Sequence, residues 1–358
     1  MERIPFDIDK EMQIIGEFKS MLPRAPGLPK LNTPITPKEN YKLLFEGKRP
    51  LWMPSAFDSI TLIPRIIPDN IARGFVIDAD PLDLKDAGGK DFFGIEWVYV
   101  EKVGGSMVQP GNPKVPDITR WEEYIEFPDL DQYDWEGSAA RHREFLSPDR
   151  MTILWVMNGL FERLISFMDF ENAALAIVDD DEKDSVHRLF DALCDFYDKL
   201  FEKYMTYYDA DIILFHDDWG SQRAPFFSLS TCREMLVPYL SRLVESCHKR
   251  GMYLDFHCCG KNEILVPAMI EAGVDAWTPQ EMNDRHMIIE KYGDKLNIGV
   301  RMVIPMEATE DEVVDIVESF VKEYGGYGNV IGGAFAFGGN QTVIRDTLYS
   351  LTRQAYNV

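Results

Sequence analysis

Short apolar runs alternate with longer amphipathic segments along most of this chain. The clearest pair lies in the middle. Over residues 182–207, Val186, Leu189, Phe190, Leu193, Phe196, Tyr197, Leu200, Phe201 and Tyr204 recur at spacings of three and four. That spacing puts them on one helical face. Residues 211–216 follow and read as a strand by length and composition. Further short runs lie at 51–57, 152–157, 252–257, 274–277, 296–300 and 329–333, with helical patterns between and after them. Strand then helix, repeated, means parallel strands joined by right-handed crossovers. An eighth strand is expected within residues 75–108, a stretch that also carries a hairpin pattern at 97–108.

Both a closed barrel and an open doubly wound sheet produce this alternation. No Gly-x-Gly-x-x-Gly follows a strand and no Gly-Lys-Ser/Thr occurs, so the nucleotide markers of the open sheet are missing. That tilts the reading toward a TIM (β/α)8 barrel over residues 49–358, with a helical N-terminal extension over residues 1–48, and leaves the open sheet as the alternative. Prolines 23, 26, 29, 34 and 37 break that extension. Helices are expected at 161–178 and 263–272. Another opens with Thr231 and Glu234 in capping-box spacing, with Pro238 kinking it.

Composition narrows the function classes. The 358 residues carry 60 acidic against 37 basic side chains, a formal net charge of -23. Nucleic acid demands basic patches, so it is not an expected partner. No stretch approaches the roughly 18–20 apolar residues of a membrane helix. Residues 1–10 lack the apolar core of a signal peptide, so the expectation is a cytoplasmic protein. Its cysteines, Cys194, Cys232, Cys247, Cys258 and Cys259, are odd in number and do not form a disulfide framework.

Barrel chemistry gathers at the C-terminal ends of the strands. Those ends here carry Ser55 and Asp58, Asn158, His216 with Asp217 and Asp218, His257 with Cys258 and Cys259, Gln280 with Glu281, and Arg301. His257 and Cys259 are alternate residues of an extended segment and project to one side. An imidazole and a thiolate together suit zinc. The same pair also fits a core cysteine beside a hydrogen-bonded histidine. Asp217 and Asp218 beside His216 suit acid/base work, or a strand-end turn in which aspartate caps backbone amides. Trp219 offers an aromatic wall or core packing. The segment 332–339 is rich in glycine and holds Phe335 and Phe337, which suits an apolar ligand or tight strand–helix packing.

From about Trp52 onward the chain resembles the uroporphyrinogen-decarboxylase-like superfamily. The residues that carry this are His216-Asp217-Asp218, Lys249-Arg250-Gly251, His257-x-Cys259-Gly260 and Ile270-Glu271-Ala272-Gly273-Val274-Asp275. The resemblance implies a TIM barrel. It also implies one of two activities, decarboxylation of a tetrapyrrole or methyl transfer to or from a corrinoid protein. The decarboxylase branch carries an arginine-rich segment after the first strand, where this chain has Trp52-Met53-Pro54-Ser55-Ala56-Phe57-Asp58. Arg65 and Arg73 come later and do not match it.

The methyltransferase branch carries His-x-Cys with a further cysteine far downstream. His257 and Cys259 match, whereas the downstream position falls near Ala336. The resemblance thus implies zinc on His257 and Cys259, completed by Glu281, His216 or Asp218. It implies His216, Asp218 and Asp217 as catalytic groups, and Asn158, Trp219, Gln280, Arg301, Phe335 and Phe337 around the substrate. The expected partners are a small methylated donor and a separate corrinoid protein, with self-association left open. The alternative is a carboxy-lyase in which Arg301 and Lys261 hold the acid.

Overall fold

Sheet pairing follows the strand-to-helix alternation. The structure, a computed structural model, describes residues 4–21, 26–102, 104–334 and 340–356. Two units divide the chain, one of residues 1–60, 144–152 and 275–358, the other of residues 61–143 and 153–274.

In the second unit, residues 153–156 of the strand Met151–Val156 run parallel beside Ile212–His216, which runs parallel beside Tyr253–His257. Ile213 stands opposite Leu154 on one side and Leu254 on the other. The first two strands are near-continuous apolar runs because both of their faces are covered, whereas Tyr253–His257 alternates buried and half-buried residues. The helix Lys183–Tyr208 buries every member of the apolar face seen in the sequence. Each fully buried Leu or Phe there contributes about 1.5–3 kcal/mol. Asp209 ends the helix in the left-handed region at φ 50°.

In the first unit, Ala276–Trp277, Asn297–Met302 and Val330–Ala334 are parallel neighbours. Ser55 makes a parallel bridge to Gly332, and the Gly332 N–H donates to the Pro54 carbonyl at 2.8 Å. Both units therefore repeat the strand–helix alternation of a TIM barrel.

Several expectations change. The run 51–57 is not a regular strand. Pro54 has no N–H to give a ladder. Ser55 and Asp58 cap each other and turn the chain into the 3-10 helix Ala56–Asp58, and the strand proper is Ser59–Leu62. Among the described residues of 75–108 there is no barrel strand. Gly88–Lys90, Glu96–Val100 and Gly105–Val108 form a separate antiparallel sheet that includes the expected hairpin.

The extension is not only helical either. Ile14–Phe18 pairs antiparallel with Leu28–Leu31, and helices occupy Ile8–Glu11 and Pro37–Phe45. Its isoleucines and phenylalanine favour the pleated state. The helix expected at 161–178 is broken by Asp169, at φ 67°, into Leu160–Met168 and Phe170–Ala176. The helix after His216 opens earlier than expected, with Ser228 accepting from the Thr231 N–H. Pro238 does not kink it but sits in the first turn of a new helix, Val237–Lys249, where its missing N–H costs nothing.

Candidate functional site

Two neighbouring strands end on histidine. His216 and His257 are register partners, and their rings stack at 4.2 Å between centroids with 12° between planes. Beyond them both chains leave the sheet in step. The Asp217 N–H donates to the His257 carbonyl at 2.9 Å, and the Cys259 N–H donates to Asp218 Oδ1 at 2.7 Å. Extended segments send alternate side chains to opposite sides. His216 and Asp218 from one segment therefore meet His257 and Cys259 from the other. One ligand atom from each of these residues lies within 4.8 Å of all the rest. His257 Nε2 and Cys259 Sγ are 3.1 Å apart. Gly260 permits the turn: its φ is 103°, and a Cβ there would stand 2.5 Å from the Gly220 carbonyl.

Behind the cluster lies a charged second layer. His216 Nδ1 is 2.5 Å from Glu162 Oε2. Arg73 Nη1 reaches the other Glu162 oxygen at 3.1 Å and Asn158 Oδ1 at 2.8 Å, with its guanidinium 5.0 Å from the centre of the Trp97 ring. Burial pushes the His216 imidazole down to about 4, with the Asp218 charge opposing the fall and the Arg73 charge adding to it. Burial raises the Glu162 carboxyl, and Arg73 opposes that rise. A neutral imidazole is the form that binds metals.

The alternate residues do different work. Asp217 accepts the backbone N–H groups of Phe161 at 3.2 Å and Glu162 at 2.9 Å, and the Trp219 indole N–H at 2.9 Å. It caps the Leu160–Met168 helix rather than joining the cluster. Gly159 leaves room for it, since a Cβ there would come 2.4 Å from Asp217 Cβ. Burial, then the charge of Glu162, pushes the Asp217 carboxyl up to about 7. Trp219 is buried against Phe256 at 4.7 Å, so the core role applies and the aromatic-wall expectation does not. Cys258 is likewise buried, accepting from the Trp219 N–H and Asn262 Nδ2, and burial drives its thiol well up.

The remaining expected residues scatter. Asn158 is fully buried in the second layer. Gln280 is half-buried in a turn whose carbonyl accepts from Asn283. Glu281 is exposed and is not a member of the metal-competent group. Arg301 is exposed too. It lines an open groove with Arg285, Asp315, Glu323 and Tyr324 because Val300 and Met302, on either side of it, point inward. Phe335 and Phe337, with Ala336, lie outside the described residues. Glu162 and the role of Arg73 were missed. The available signal was a carboxylate in the first turn of the helix that follows Asn158-Gly159.

Among the described residues no helix is long and apolar enough to cross a membrane. The architecture matches solved structures. A methyltransferase from Methanosarcina mazei superposes with a TM-score of 0.61 at 15% identity, covering 90% of this chain and 99% of that one. A sugar phosphate isomerase/epimerase from Parabacteroides distasonis reaches only 0.33 at 10% identity, over 66% of this chain and 80% of its own. A chitinase from Rhizomucor miehei reaches 0.35 at 9% identity, over 67% and 91%. Scores that low carry no argument. No curated protein matches the chain. Residues 93–336, well over half of the chain, match the family Uroporphyrinogen decarboxylase (URO-D). With its TIM-barrel α/β fold, the chain belongs to the uroporphyrinogen decarboxylase (URO-D) family.

Proposed function

We propose that this protein is a methyltransferase. It takes a methyl group from a small methylated donor, such as an aryl methyl ether or a methylamine, and passes it to a separate cytoplasmic corrinoid protein, or moves it from that protein to a thiol. The observation that carries this reading is the convergence of His216, Asp218, His257 and Cys259 at two adjacent strand ends. Two imidazoles, a carboxylate and a thiol form a donor set that suits zinc. His257 and Cys259 would hold the ion, with His216 and Asp218 completing the site. Zinc bound there supplies Lewis acidity toward the donor heteroatom or stabilises a thiolate acceptor.

The protein's own residues prepare that site. Asp218 fixes the Cys259 amide and with it the direction of the thiol. Cys258, Trp219 and Phe256, which alternate with these residues along the two segments, are buried and pack on one another. In the transfer, the bonding pair of the broken carbon–heteroatom bond stays on the heteroatom. A group that neutralises that atom therefore speeds departure. The shared fold of the Methanosarcina mazei methyltransferase supports the reading. So does the condition of two arginines in this unit. A polycarboxylate substrate needs available cations, whereas Arg73 pairs with Glu162 and Arg163 lies between Asp69 and Asp91.

The test is elemental analysis of protein purified without chelator, beside the double variant His257→Ala, Cys259→Ala. It is followed by incubation of the zinc-loaded protein with free cob(I)alamin and a panel of methylated donors. Stoichiometric zinc, lost in the double variant, with methylcobalamin formed from one donor, is the expected result. Absence of metal from both proteins, or porphyrinogen turnover with no methyl donor present, would overturn it.

A further inference from the structure

Glu162 holds a position that folding alone does not require. Its backbone is fixed by the Asp217 cap, so the helix does not depend on its side chain. Yet the carboxylate is only 11% exposed, and both its oxygens are engaged, one by His216 Nδ1 at 2.5 Å and the other by Arg73 Nη1 at 3.1 Å. Arg73 is itself 13% exposed and is anchored by Asn158 Oδ1 and the Trp97 ring. An ion pair withdrawn from water costs several kcal/mol unless geometry returns it, so its placement behind one imidazole calls for an explanation.

An ionised carboxylate only accepts hydrogen bonds. The pair therefore puts the His216 proton on Nδ1 and leaves the Nε2 lone pair for the cluster. We propose that Glu162, held in place by Arg73, is a positioning residue: it fixes the tautomer and ring orientation of His216 and strengthens its Nε2 as a donor to a divalent cation shared with Asp218, His257 and Cys259. The proposal rests on the metal reading above. Carboxylate partners of this kind typically change metal affinity by about 10–100-fold.

The experiment measures zinc affinity by competition with a chromophoric chelator for the full chain and for Glu162→Gln, Glu162→Leu and Arg73→Gln. Nitrogen NMR of the metal-free, histidine-labelled proteins accompanies it. Glu162→Leu is expected to weaken zinc by about 10–100-fold. Glu162→Gln, which keeps the shape and an acceptor but not the charge, should fall between it and the parent, and Arg73→Gln should follow Glu162→Gln. The His216 proton should sit on Nδ1 in the parent and redistribute in Glu162→Leu. Circular dichroism identifies any variant that fails to fold, and the isosteric Glu162→Gln then decides. Zinc bound equally by the parent and every folded variant, with the His216 tautomer unchanged, would overturn the positioning role and leave the metal reading standing. A parent chain that binds no zinc would overturn the metal reading, while the NMR still decides whether Glu162 sets the tautomer.

Discussion

Neighbouring residues of one helix, Glu162 and Arg163, feed two buried charged networks with opposite character. Arg163 is fully buried. Its Nη1 donates to Asp91 Oδ2 at 2.6 Å, its Nη2 bonds Asp69 Oδ2, and the guanidinium lies 4.8 Å from the Phe93 ring centre. Asp91 also accepts from the backbone of Phe93 and Ile95 and from the Trp97 indole, each at 2.9 Å. Both carboxylates also accept from loop backbone, Asp69 from the Phe92 N–H at 3.1 Å, so this network is closed at its carboxylate end and ties the segment 91–97 to the helix. The Glu162 network instead runs outward through His216 to Asp218, His257 and Cys259, whose donor atoms lie within 4.8 Å of one another. Burial is similar in both. What separates structure from candidate function is where each network ends, on loop backbone in one case and on the strand-end cluster in the other.

Breaking the closed network should have the largest effect on stability. Arg163→Met leaves two buried carboxylates without their cation and is expected to cost about 3–5 kcal/mol in denaturant unfolding. A cost below about 1 kcal/mol would show that the network is not closed in this sense.

A smaller version of the same closure exists at Asp58 in the other unit. Its oxygens accept from the Trp52 indole at 3.1 Å, the Ser55 N–H at 2.8 Å and the Ser55 hydroxyl at 2.9 Å. Burial is the larger influence, and the carboxyl is pushed up to about 6 from 3.8. Between those values the folded chain keeps a proton that the unfolded chain releases. Stability therefore falls as pH rises from about 4 to 6, by up to about 3 kcal/mol. Asp58→Asn should flatten that slope, as read from unfolding midpoints across the window. An unchanged slope would assign it to other groups.

Asp217 and Asp218 place the same contrast in adjacent residues. Asp217→Ala removes a helix cap and strands buried donors, and should cost about 2 kcal/mol. Asp218→Ala leaves only the Cys259 N–H without its Asp218 acceptor and should cost about 1 kcal/mol while weakening zinc in chelator competition. The reverse outcome would exchange their roles. The narrowest expected change, confined to stability, is at Ser228, whose side chain caps the Leu229–Met235 helix. Ser228→Ala should cost about 1 kcal/mol with zinc affinity unmoved, which makes it the control for capping alone.

Much of this was legible from residue order because local physics sets it. The 3.6-residue period over the Lys183–Tyr208 helix needs only one buried face, and the alternation of strand and helix needs only short crossovers. The pairing of His257 with Cys259 follows from two-residue periodicity within one segment. The partners came from tertiary structure. His216 meets His257 only because two strands whose paired residues lie 41 positions apart in the sequence align in register.

Which aspartate turns toward the cluster also lay beyond sequence. Asp217 is drawn away by the amides that open the Leu160–Met168 helix, which come from a different strand–helix unit. Arg301, Glu281 and Trp219 sit at strand ends in the sequence as the cluster residues do, and their burial and facing were decided by neighbours distant in the chain. Arg73 and Glu162, 89 positions apart, meet through packing alone. Sequence by itself determined the kind of fold and the chemistry available at the strand ends. Tertiary structure decided which atoms face one another, because a side chain's direction depends on the hydrogen bonds and volume that other segments bring to it.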